Sequence, residues 1–137
     1  PDPCWGYRIE NAGHTIAYCC DTECVRASED KLKEDADLYR NADVMLFDGQ
    51  YSMQEIIDKL NWGHSFPSVG IDVAMRFGIK NVVFIHHDTF ASDDEIYENE
   101  KQTRRYYENC VKEQNKAGTM PHKLDFSFAY EGMEIKF

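Results

Sequence analysis

The chain has 137 residues, 42% of them hydrophobic and 13% aromatic, enough for one ordinary core, so a single domain over 1–137 is expected. Twenty-five acids against fifteen Lys and Arg leave a formal charge of -10, a field that repels a phosphate backbone and argues against nonspecific nucleic-acid binding. No stretch reaches the ~20 apolar residues of a membrane span, no charged-then-apolar leader opens the chain, and five cysteines without a spaced framework suit a reduced interior, so a soluble, cytoplasmic protein that engages no membrane is expected.

In chain order, WGYRIE (5–10) and HTIAYCC (14–20) flank the turn signal NAG and predict a hairpin. The chain opens on Pro1 and is already strand-like at residue 5, so an upstream segment is expected. Residues 28–41 are polar, with Leu32, Ala36 and Leu38 or Tyr39 at rough helical spacing, and read as a surface helix or structured loop. VMLF (44–47) predicts a buried strand. Ser52 and Glu55 form a capping-box signature ahead of Met53, Ile56, Ile57 and Leu60, which predicts a helix over 52–60 ending near Asn61. Residues 69–77, between Pro67 and Gly78, are apolar on more than one side and predict a largely buried helix. VVFI (82–85) follows as a core strand. A second capping box, Ser92 with Glu95, opens a long helix to about Gln114 with Ile96, Thr103, Tyr107, Cys110 and Val111 inward and Gly118 as its stop. The tail from His122 alternates and turns at Glu131-Gly132, as a closing strand or hairpin would.

Strands alternating with helices predict an α/β fold, in which functional groups gather at the carboxyl ends of strands. Three predicted strands end in chemistry: TIAYCC at Asp21, VMLF at Asp48 and VVFI at His86. Any one acid there could simply cap a helix or mark a turn, but three strand ends together suggest a site. Asp and His suit zinc, manganese or iron, and a carboxylate can bridge two ions. His86 and His87 should point to opposite sides of an extended segment, so only one can serve a given ion, with Asp88 as an outer acceptor for a ligand histidine. A zinc site from Cys20 and Cys24 lacks a second cysteine pair to complete it.

GYRIE, TIAYCCDTE, ADVMLFDGQYS, NWGHS, KNVVFIHHD and FAYEGMEI, in this order and spacing, resemble the C-terminal half of metallo-β-lactamase-fold hydrolases, in the branch of small phosphodiesterases and tRNA 3′-processing endonucleases. The resemblance implies one half of a four-layer αββα sandwich, with the upstream half absent from this chain. It implies two divalent ions, Zn or Mn or else Fe, that activate water against a small phosphodiester. By the same resemblance Asp21 is the bridging metal carboxylate, His86 the last metal-binding histidine, and Asp48 with His64 an acid and histidine that move a proton near the scissile phosphate. The family's H-x-H-x-D-H motif is missing, because histidines occur only at 14, 64, 86, 87 and 122. The chain alone is therefore expected to be inactive and to bind metal weakly. A half-sandwich should also expose one apolar sheet face and form homo-oligomers. Two other readings stay open: a metal-free α/β domain that binds a partner, and a structural half that works as a dimer.

Overall fold

The computed structural model describes residues 3–24, 27, 32, 35–55 and 57–136. Strands β1 (Tyr7–Asn11) and β2 (His14–Cys19) form the expected hairpin, joined by Ala12 and Gly13 at φ 50° and 83°. Both turn residues are left-handed, as a two-residue hairpin loop of matching twist requires. A short helix α1 (Ala36–Tyr39) leads into β3 (Val44–Asp48), then α2 (Pro67–Phe77), β4 (Asn81–Ile85), α3 (Asp93–Lys116) and β5 (Asp125–Phe128). The five strands lie in the order of the chain; β1 is antiparallel to β2 and every later pair is parallel.

Right-handed crossovers that progress in one direction keep all their helices on one face of a sheet. The contacts agree. Gly70 of α2 lies so close to the rings of Phe47 and Phe84 that a Cβ there would come within 2.8 Å of both. Arg104 and Tyr107 of α3 lie against the Phe126 ring, and the Arg8 guanidinium donates to the carbonyls of Asp37, Leu38 and Arg40 around α1. This side holds the core, with Met45, Phe47, Val82 and Phe84 fully buried. The other face carries Tyr7, Ile9, Ile16, Tyr18, Leu46 and Ile85, all at least partly exposed. No helix among the described residues is long and apolar enough to cross a membrane.

Local signals explain the helices that form. Pro67 at the first turn fixes the start of α2, and Gly78 at φ 72° ends it by donating to the Ala74 carbonyl. The Ser92–Glu95 capping box is complete, and α3 runs to Lys116, slightly beyond the expected end. Among the described residues of 28–41, Leu32 is helical and α1 covers Ala36–Tyr39, with Leu32, Ala36 and Tyr39 buried; residues 28–31, 33 and 34 lie outside the described residues. The tail supplies a closing strand, β5, and no returning strand follows it among the described residues.

The helix expected over 52–60 does not form among the described residues. Ser52 and Glu55 do pair, the carboxylate accepting from the Ser52 N–H at 2.9 Å and its hydroxyl at 2.7 Å, but a succession of turns follows. Met53, Ile57 and Leu60 are 45%, 75% and 48% exposed, and Ile56 lies outside the described residues. A helix of nine residues is marginal in water unless it buries its apolar face, and here Met53, Ile57 and Leu60 remain exposed.

Candidate functional site

The parallel register sets Cys19, Phe47, Phe84 and Phe128 level, so β2, β3 and β4 end along one edge. Cys20 and Asp21 follow β2, Asp48 closes β3, and His86 follows β4. The topology thus converts three distant strand ends into neighbours.

Asp48 is fully buried and is the hub of this edge. Its Oδ1 accepts from the Gln50 N–H at 3.1 Å and the Ser65 N–H at 3.3 Å. Its Oδ2 lies 2.9 Å from His64 Nδ1 and 3.3 Å from His86 Nδ1. A buried carboxylate is tolerable only when its lone pairs are so occupied. Because an ionised carboxylate only accepts, the contact assigns the His64 proton to Nδ1.

His64 is fixed from both flanks without an intervening helix. The Glu23 carboxylate accepts from the N–H groups of Asn61 at 2.6 Å and Gly63 at 3.1 Å, closing the turn before it. The Ser65 hydroxyl after it donates to the Cys24 carbonyl at 2.7 Å and accepts from the Cys24 N–H at 3.1 Å. The Tyr51 ring packs edge-on against the imidazole, centroids 5.7 Å apart. Neither Glu23 nor Ser65 carries a sequence signal for this task, since their partners are about forty positions away.

His86 spans the two carboxylates, with Nε2 3.4 Å from Asp21 Oδ1 and its ring 4.9 Å from that of His64. Asp21 and His86 both have left-handed backbones, at φ 51° and 62°. Such conformations cost of order 1–3 kcal/mol in residues other than glycine and collect at functional positions. Cys20, Asp21, Asp48 and His86 each offer one ligand atom, all within 4.8 Å of one another. Sequence reading set Cys20 aside with Cys24, and the structure separates them: Cys20 joins this group, whereas Cys24 is buried in the core. Burial raises the Cys20 thiol above its usual range against the pull of the Tyr18 hydroxyl, with Asp21 and Asp48 adding to the rise.

His87 points away, as expected. Its Nε2 donates to the Ala129 carbonyl at 3.2 Å, its ring stacks on Phe128 at 5.6 Å, and burial lowers its pKa despite that carbonyl. Asp88 does not serve a site histidine. It accepts from the Phe90 N–H at 2.9 Å and lies 3.6 Å from Lys59 Nζ, and the carboxylates that face both His64 and His86 are Asp48 and, at 3.8 and 3.4 Å, Asp21. A cleft of about 400 Å³ begins one residue beyond the site, with Gln50, Gln54, His87, Phe90, Glu95 and Asn99 in its lining. Asp21, Asp48, His64 and His86 are not part of it.

A family model described as a beta-lactamase superfamily domain matches residues 1–87, more than half of the chain and a span that includes all four of those residues. Among solved structures, the metallo-beta-lactamase fold protein YhfI from Bacillus subtilis is similar, with a TM-score of 0.64 and 15% identity over 97% of this chain and 44% of that one. The likeness at that identity is one of fold, and the chain spans less than half the length of that protein. No curated protein matches the sequence.

Proposed function

The chain belongs to the beta-lactamase superfamily, and from that premise and the geometry of the site we propose that it is the C-terminal half of a binuclear metal-dependent hydrolase acting on phosphodiesters. The observation that carries this reading is Asp48, a fully buried carboxylate with two imidazoles on one oxygen. Such a charge is costly to bury for packing alone. In a reacting site it holds two histidines in fixed orientation.

The donor set fits a divalent ion. Ligand atoms around a tetrahedral zinc with bonds of ~2.0–2.1 Å are roughly 3.3 Å apart, and His86 Nε2 and Asp21 Oδ1 are separated by 3.4 Å. Asp21 and His86 would hold the ion, and the described residues supply ligands for one. The ligands of a second must come from an upstream half, for which the exposed apolar face of the sheet is a suitable seat. A bound divalent ion supplies Lewis acidity, lowering the pKa of water and offsetting charge that develops on phosphate oxygens. Asp48 holds His86 by Nδ1, leaving Nε2 on the side of Asp21. The same carboxylate keeps a proton on His64 Nδ1, so that Nε2 is the nitrogen that first takes up a proton from solvent and then passes it to the leaving alkoxide.

The net charge of -10 favours a small phosphodiester over a long nucleic acid. The described cysteines are thiols and none is disulfide-bonded, in keeping with a reducing, cytoplasmic setting. The exposed sheet face favours a second reading, a metal-free half that dimerises through that face. Kinetics of the complete protein separate the two. His64→Ala should lower kcat by ~10²-fold or more with metal content unchanged, and a nitrophenyl ester, whose leaving group needs no proton, should recover much of the loss. Near-normal turnover on an alkyl ester, or no recovery with the nitrophenyl ester, would remove His64 from the chemistry.

A further inference from the structure

We infer that Cys20 is a thiolate ligand of the same ion as Asp21 and His86, and that it makes the site selective for thiophilic metals. The inference rests on the metal reading above and adds a ligand to it. Along a strand, successive side chains point to opposite faces. Cys19 points into the helix-covered core, with 1% exposure, so Cys20 points to the open side. Regular alternation would return Asp21 to the core side. Its left-handed backbone, φ 51°, breaks the alternation, and Cys20 and Asp21 contribute to one cluster with His86. Two consecutive ligands are thus gathered by one strained residue at the end of β2.

The other described cysteines are placed differently: Cys4 is exposed ahead of β1, Cys19 and Cys24 belong to the core, and Cys110 is on α3. Carboxylate and imidazole donors already bind manganese more weakly than zinc, and a thiolate widens that preference for zinc and cobalt. On binding, the Cys20 S–H bond breaks, its electron pair forms the bond to the metal, and the proton passes to solvent.

The test titrates Co²⁺, Zn²⁺ and Mn²⁺ into the 137-residue chain, Cys20→Ser, and Cys110→Ser as a control. A near-ultraviolet thiolate-to-cobalt absorption is expected in the parent and in Cys110→Ser and should vanish in Cys20→Ser. Zinc affinity of Cys20→Ser should fall about tenfold or more while manganese affinity changes less than about twofold. In the unaltered chain, Zn²⁺ should slow alkylation of Cys20, read by peptide mass mapping, a measurement that needs no variant to fold. Cobalt bound without the absorption, or Cys20 alkylated equally with and without Zn²⁺ at saturating occupancy, would overturn the thiolate while leaving Asp21 and His86 as ligands. If equilibrium dialysis at free metal high enough to load a weak site shows that the parent binds no cation, the metal reading itself fails and the inference with it.

Discussion

Residues 67–77 and 52–60 both place apolar side chains at helical spacing behind a start signal, yet among the described residues only the first forms a helix. The difference is what lies beneath. α2 rests on the rings of Phe47 and Phe84 so tightly that residue 70 must lack a side chain, whereas Met53, Ile57 and Leu60 remain exposed. Periodicity states what a helix would bury; a second surface decides whether it does. The site draws on both kinds of segment. Asp48 ends a fully packed strand, and His64 sits in turns tied down by Glu23 and Ser65 rather than by apolar burial.

The comparison can be broken at four points. The largest effect belongs to Asp48→Ala, which leaves the Gln50 and Ser65 N–H groups without their acceptor and two imidazoles without their carboxylate. It should cost about 3 kcal/mol in urea denaturation, and a loss below ~1 kcal/mol would show that the hub is not what organises this edge. Gly70→Ala pushes a methyl into the Phe47 and Phe84 rings and should lower stability by about 1–3 kcal/mol through overpacking. An unchanged Tm would mean that α2 rides higher on the sheet than described.

Asp72 sharpens the picture of α2 through pH. Burial raises its pKa, partly offset by the Tyr106 hydroxyl that donates to it at 2.8 Å from α3. A carboxyl whose folded pKa is raised contributes stability that is fully present below its unfolded pKa and lost as pH rises through the folded value. Asp72→Asn keeps an acceptor for Tyr106 and removes the penalty. Its stability relative to the parent should therefore increase as pH rises through the carboxylate range; a constant difference would mean that Asp72 is solvated. The smallest effect is expected for Met53→Ser or Ile57→Ser, within about 0.5 kcal/mol. A loss comparable to that of Gly70→Ala would show that the segment buries these side chains in solution.

Much of the fold was legible because its signals are local. The hairpin turn at 12–13, both ends of α2 and the capping box of α3 involve residues within a few positions of one another. The strand-end groups Asp21, Asp48 and His86 were legible for a related reason, since a parallel sheet aligns carboxyl ends whatever its sequence. What could not be read is the scaffolding between distant segments. Glu23 under the 61–63 turn, Ser65 on Cys24, and Asp48 rather than Asp88 beside His86 are contacts of tertiary structure only. Cys20 was illegible because alternation along β2 separates it from Asp21 until the left-handed backbone of Asp21 brings them together.

The most direct measurement of the central claim is equilibrium dialysis of Zn²⁺ against the chain and its Asp21→Ala, His86→Ala and His64→Ala variants. At free Zn²⁺ high enough to load a weak site, the chain should bind about one ion, Asp21→Ala and His86→Ala should each bind at least ~tenfold more weakly, and His64→Ala should bind as the parent does. Equal retention by all four proteins, or a loss in His64→Ala as large as in His86→Ala, would contradict the assignment of metal to Asp21 and His86 and of the proton to His64.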